Sequence, residues 1–248
     1  LTSGMWFEKH KVTAEGGESR AETKDTVRQF APMAFVYLLW ISVFMASQMR
    51  LTGTIAEKSS RTVEVLLSCV SPLELMAGKI AGIAASGLTI IGCWAIVVGV
   101  SVTTVPAMVE QVAQLGLAEI VTDPRYVVSF AVYFLLGYLL YASLYVAIGS
   151  ACSDLKEAQA VAGPMILVLM LPILVMVPVG NDPNGTLARV LSFIPTFTPF
   201  VMMNRAAGPP AVWEYVATSA LLVVSVAGAL WAAAKVFRVG VLLTGKPP

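Results

Sequence analysis

Charge is what this 248-residue chain has least of: Asp, Glu, Lys and Arg together make up 12% of it, while hydrophobic residues make up 57%. Soluble domains carry about 25% charged residues. With a mean hydropathy of +0.80, a soluble core with a solvated shell is excluded and the polytopic membrane class remains. Histidine is nearly absent as well. His10 lies in a polar N-terminal stretch, so a His-based zinc protease or a Ser-His intramembrane protease has no residues to use. It is most simply a solvated surface residue. Cys69, Cys93 and Cys152 are odd in number and lack paired spacing, which argues against a disulfide framework and against a zinc site. They read as small packing residues. A net charge of +1 gives no sign of a nucleic-acid partner. No initiator Met and no signal-peptide pattern stands at Leu1, so the start is read as a truncation.

What the chain has is long apolar runs. Residues 1–29 are polar, with basic and acidic side chains in balance, and cannot bury a core alone. From Phe30 to Met49 no charge occurs, about the length that crosses a bilayer, and Arg50 closes the run. Further runs follow, giving spans at about 30–54, 76–105, 127–150, 158–180 and 215–237. Pro106 to Arg125 reads as an outer loop with an interfacial helix. Small residues at Gly78, Gly82 and Ser86 suit close helix approach in lipid, and a stripe of Tyr138, Tyr141 and Tyr145 suits interhelical packing. Asn181 to Arg205 differs in kind. Its apolar run, Leu187 to Met203, is interrupted by Arg189, Pro195 and Pro199, which favours a re-entrant or interfacial pair of short helices over a spanning one. Trp213 can anchor the interface before the last span.

The one long charged interruption is Ile55 to Gly82. On a helical wheel, Val63, Leu66, Leu67 and Val70 make an apolar stripe, and Glu57, Arg61, Glu64 and Ser68 a polar one. The spacing predicts a short amphipathic helix from Glu57 to Val70, with Arg61 in reach of Glu57 and Glu64. Ser71 can cap the next helix, Pro72 suits its first position and Glu74 completes a capping box. That helix enters the membrane through Gly78 and Lys79. Asp154, Lys156 and Glu157 form a second charged turn, again with capping-box spacing. Periodicity alone leaves two uses for the amphipathic helix: lying solvated on headgroups, or meeting a partner.

Four stretches in order, EKSSRTVEVLLSCVSPLELMAGKIAG, YVAIGSACSDLKEAQAVAGPM, LSFIPTFTPFVMMNR and AAKVFRVGVLLTGKPP, resemble the type-2 permeases of ABC transporters, the branch of sodium-efflux and drug-export membrane subunits. The resemblance implies an all-α bundle of five spans with a re-entrant or interfacial outer helix pair around Pro195, Pro199 and Arg205, and a cytoplasmic coupling helix carrying Glu57, Lys58, Arg61 and Glu64. It implies an ATP-binding cassette ATPase subunit resting on that helix and on the turn at Asp154, Lys156 and Glu157, a second permease chain as partner, and ATP and Mg held by the ATPase. No cofactor is expected on this chain. The family also has an earlier span and a large extracytoplasmic domain. The chain is therefore read as the C-terminal portion of a permease, with residues 1–29 as the end of that domain, 30–239 as the transmembrane domain and 240–248 as a cytoplasmic tail.

With the charged interruption inside, Arg50, Lys58, Arg61, Lys79, Lys156, Lys235, Arg238 and Lys246 are cytoplasmic, against Arg125, Arg189 and Arg205 outside. This puts the N-terminal tail outside a plasma membrane and the C-terminus in the cytoplasm. The basic residues of the tail are discounted, since translocated domains escape the rule. Gly240 to Lys246 matches the start of a phosphate-binding loop, but Pro247 stands where a Ser or Thr must hold magnesium. An ion-coupled secondary transporter is the main alternative, disfavoured by the lack of ionisable residues in the central parts of the spans. A non-transporting membrane scaffold is a further one. Sodium, a drug and a lipid-like molecule all remain open as substrates.

Overall fold

In lipid, a backbone must satisfy its own polar groups, so long apolar runs that do not close into a barrel are helices. The computed structural model describes residues 18–59, 69–70, 72–104, 124–152, 154–205, 208 and 210–244. The elements there are α1 (Glu18–Ser59), α2 (Pro72–Thr104), α3 (Pro124–Ala151), α4 (Leu155–Leu174), α5 (Met176–Asn181), α6 (Thr186–Ser192), α7 (Thr198–Arg205) and α8 (Val212–Thr244). Five stretches are long and apolar enough to cross a membrane: Phe35–Glu57, Gly78–Val97, Tyr126–Ala151, Leu155–Asn181 and Val212–Val236. The expected all-α polytopic bundle is the fold found.

The bundle is organised around α3, against which α1, α2, α4, α7 and α8 all pack. The tyrosine stripe explains why. Tyr133, Tyr138, Tyr141 and Tyr145 are fully buried, and large aromatic side chains supply most of the contact area in such a core. Two glycines let neighbouring helices pack closely on α3. A Cβ on Gly87 of α2 would lie 2.7 Å from the Tyr138 ring, and one on Gly137 of α3 would lie 2.7 Å from the Pro199 ring of α7. By contrast α2 and α1 hardly touch each other, and much of α2, including Leu88, Ile96, Val97 and Val100, is exposed. In a bilayer such side chains are solvated by lipid.

Helix boundaries depart from the expected ones in three places. First, α1 begins within the polar tail and runs through Ser59 without a break, because Glu, Lys, Arg and Ala are strong helix formers. Glu57 and Lys58 are thus its last turn rather than the start of a separate helix. Second, the fourth span breaks at Val175 between α4 and α5. Pro178 accounts for this: its ring collides with the carbonyl four residues back, at Leu174, and it offers that carbonyl no N–H. Third, α8 stays helical through Thr244, so Gly240 to Thr244 is the end of a helix and not a phosphate-binding loop ahead of one.

The run from Leu187 to Met203 folds as a hairpin of two short helices, α6 and α7. At 1.5 Å per residue they are about 10 and 12 Å long, well short of a hydrocarbon layer of about 30 Å. Pro195 lies in the turn between them, whereas Pro199 does not break anything: it sits in the first turn of α7, where a missing N–H costs nothing. The hairpin packs alongside Gly137, halfway along α3 and about 16 Å from Tyr126 at helical rise. Irregular backbone at that depth must be satisfied by protein. Tyr141 donates to the Thr196 carbonyl (2.7 Å), and the Thr198 hydroxyl lies within bonding distance of the Ser192 (2.8 Å) and Ile194 (2.9 Å) carbonyls.

Candidate functional site

Polar groups gather at three levels of the bundle. At one end, the C-terminal turns of α1 meet the start of α2. Lys79 donates to Glu57 at 2.7 Å, joining a residue of the expected coupling helix to one of the expected helix start. The pair is partly exposed, with Glu57 at 46%. Glu57 therefore bonds across the two helices; the expected pair with Arg61 falls outside the described residues. Pro72 is the first residue of α2 and Glu74 is in its first turn. Gly78 faces open space. Arg61, Glu64 and Ser71 lie outside the described residues, as does the side chain of Lys58.

The second charged turn stands at the same end. Leu51, Ile55, Tyr145, Cys152, Ala158 and Ala162 form one apolar cluster that fixes the ends of α1 and α3 against the start of α4. Asp154 caps α4, accepting the Glu157 N–H at 2.8 Å. Asp154, Lys156 and Glu157 are all exposed. What this end presents is thus a set of charges held on rigid helix termini, available to a partner.

At the opposite end the charges are hidden. Arg205, at the end of α7, is fully buried. Its Nε donates to the Pro183 carbonyl (2.6 Å), its Nη1 to the Ser192 hydroxyl (2.8 Å) and its Nη2 to Glu214. Glu214 is 2% exposed and is also approached by Arg189 Nε at 3.4 Å. One ion triad thereby ties α6, α7, the 182–185 turn and α8 together. Removing one partner of such a buried pair leaves an uncompensated charge, at a cost of about 3–5 kcal/mol. Arg205 was legible as part of the hairpin; Glu214 was not. A usable signal existed, since Arg189 and Arg205 lie upstream with no acid nearer than Glu214 except Asp182.

The third level lies between these ends. Arg50, read from the sequence as closing the first span, belongs to the interior of α1, well before that helix ends. Its Nη2 donates to the Ser86 hydroxyl and, more weakly, to the Tyr138 hydroxyl at 3.5 Å. Ser86 and Tyr138 hydroxyls are 3.0 Å apart. Arg50 thus lies within the Phe35–Glu57 span, in its second half, rather than at the end of the first span as the sequence suggested. Among the described residues no group of His, Cys, Asp and Glu could hold a metal ion.

A family model described as "ABC-2 family transporter protein" matches residues 10–235. The chain belongs to the ABC-2 transporter family. Members of the ABC-2 family are membrane transport components that normally work with an ATP-binding cassette subunit, and this one is a multi-pass membrane protein. It is 32% identical over 243 residues to the uncharacterized protein MJ1024 of Methanocaldococcus jannaschii, covering 96% of this chain and 55% of that one. It is 33% identical over 199 residues to the uncharacterized protein YhaP of Bacillus subtilis, covering 79% and 46%. The chain spans about half the length of these curated relatives. No solved structure matches it.

Proposed function

We propose that this ABC-2 chain is the permease of an ATP-driven exporter in the plasma membrane, paired with a second permease chain and with ATPase subunits that hold ATP and Mg. The observation that carries the reading is the exposed charged end. Two separate features, the Glu57–Lys79 pair and the Asp154 turn, stand on the ends of α1, α2 and α4, and one apolar cluster ties α1 to α4 through the end of α3. A push delivered there reaches three spans through packed helices rather than through loose loops. In this reading residues 57–70 and 154–157 rest on the ATPase, the C-terminus is cytoplasmic, and the α6–α7 hairpin dips in from the outer face.

An ion-coupled secondary transporter gains something from Arg50, which is an ionisable group inside a span. Its chemistry argues the other way. A guanidinium stays protonated at any physiological pH, so it cannot carry a proton, and it repels a coupling cation. Glu214 is held by two arginines at the hairpin end.

The test uses the full-length permease with its ATPase. Arg61→Glu reverses one charge in 57–70, a cost of about 1 kcal/mol where the residue is exposed, while like charges set against each other at a docking surface cost several kcal/mol. Membrane insertion and amount should stay normal, and ATPase co-purification and substrate-stimulated ATP hydrolysis should be lost. Wild-type binding and stimulation would overturn the coupling role. For orientation, a cysteine at Ser59 should be protected from an impermeant thiol reagent in intact cells and one at Asn184 labelled; the reverse pattern would invert the topology.

A further inference from the structure

Arg50 presents an accounting problem that the exporter reading does not solve. A guanidinium has five N–H donors. Here Nη2 reaches two hydroxyls, and no acid among the described residues pairs with it: Glu57, the nearest acid on α1, is two helical turns further on and bonds Lys79. Ser86 is itself committed, lying 2.9 Å from both the Gly82 and Ile83 carbonyls of its own helix. Nε and Nη1 have no acceptor among the described residues. A charged side chain within a span ordinarily pairs with an opposite charge or snorkels to the interface. Arg50 does neither, because helical side chains lean toward the N-terminus, and that carries the guanidinium toward the middle of the bundle. Ser86 lies near the middle of the Gly78–Val97 span and Tyr138 at the midpoint of α3.

We infer that Arg50, with Ser86 and Tyr138, forms a mid-depth anion site between α1 and α2, and that its ligand is an acidic amphiphile with a carboxylate or phosphate head. The site is open on one side: Arg50 and Ser86 are only half-buried, Gly82 and Ala85 of α2 are exposed, and among the described residues no other helix comes within 4 Å of where a Cβ on Gly53 or Gly82 would stand. The separation of α1 from α2 provides the room. The free donors of the guanidinium match the two oxygens of a carboxylate or phosphate in a bidentate fork. Through the exposed Gly82 and Ala85 the site gives onto the surface that lipid covers in a bilayer, which leaves room for an apolar tail. Sodium and cationic drugs are disfavoured, since a fixed positive charge in a low-dielectric span repels them. The inference rests on the exporter reading only where it names this ligand as a transported class; binding stands apart from it.

The test is native mass spectrometry of the purified full-length permease in detergent, without ATP or ATPase, so that its outcome does not depend on transport. The probes are oleate, lysophosphatidate, and oleylamine as a cation of similar length. Both acidic probes should be retained at least about tenfold over oleylamine, and Arg50→Gln should abolish that preference, a loss of the size expected for a charge-assisted fork. Since Arg50→Gln could weaken folding, Ser86→Asp provides an independent arm. It gives Arg50 the missing counter-ion, so thermal stability should hold or rise while acidic-probe retention falls about tenfold. Millimolar inorganic phosphate displacing oleate supports the anion site with a soluble source; no displacement supports the amphiphile as source. Equal retention of oleylamine, or wild-type retention in both folded variants, would overturn the site.

Discussion

The two ends of this bundle use ion pairs in opposite ways. At the hairpin end Arg205 and Glu214 are sealed from solvent and each is hydrogen-bonded by several elements. At the other end Glu57 and Lys79 meet across two helices that otherwise hardly touch, and Glu57 stays half-exposed. Burial makes the first pair indispensable, because neither charge can be left alone. Partial exposure, 46% at Glu57 and 15% at Lys79, makes the second pair cheaper to break, since water reaches the carboxylate. A charge that fixes a fold and a charge that is offered to a partner thus differ in solvent access, not in residue type.

The largest effect tests the hidden end. Glu214→Gln should lower stability by about 3–5 kcal/mol, leaving Arg205 buried beside a neutral group. Thermal unfolding in detergent checks it. Replacing both partners by apolar residues, Arg205→Met with Glu214→Leu, should recover much of the loss, because the double variant buries no unpaired charge. If the single variant unfolds no earlier than wild type, the triad is not what holds the hairpin. Next in size is Gly137→Val, which would push a side chain into Pro199. Overpacking of this kind costs about 1–3 kcal/mol, and the loss should be eased by Pro199→Gly, which removes both colliding atoms, Cβ at 2.7 Å and Cγ at 2.9 Å, and less by Pro199→Ala, which keeps Cβ.

How much of this was legible follows from the range of the physics involved. The five apolar runs are properties of consecutive residues, so their existence could be read directly. The hairpin was legible for the same reason: Pro195 marks its turn within a short run. Glu214 was not, because an acid in a helix's first turn is an ordinary partner of the helix dipole, and its burial depends on where α6 and α7 fold. Arg50 misled because a charge after an apolar run usually ends it. Only the register of α1 and α2 on α3 shows that its guanidinium meets Ser86. The Glu57–Lys79 bond was not legible either, because it joins residues 22 apart on two helices.

A smaller effect belongs to the exposed end. Asp154→Ala removes the acceptor of the Glu157 N–H at the start of α4, and loss of such a cap costs about 1 kcal/mol. Asp154→Asn or Asp154→Ser should restore most of it, since both can accept the same bond. A drop as large as that of Glu214→Gln would mean that this turn is part of the core rather than a presented surface.

The smallest expected change in stability is the sharpest test of the contrast. Glu57→Gln and Lys79→Gln should each cost about 1 kcal/mol, well below the loss at Glu214, because this pair is partly exposed, and the charge-swapped double variant, Glu57→Lys with Lys79→Glu, should regain the difference by restoring the bond with reversed polarity. The proposed docking role separates from stability at this point. If a partner meets these charges, the swapped variant restores the pair but presents the wrong sign at each position, so ATPase stimulation should stay several-fold below wild type although the fold is intact. Recovery of both stability and stimulation by the swap would instead make the pair a mere clasp between α1 and α2. A loss of stability matching that at Glu214 would remove the distinction between the two ends altogether.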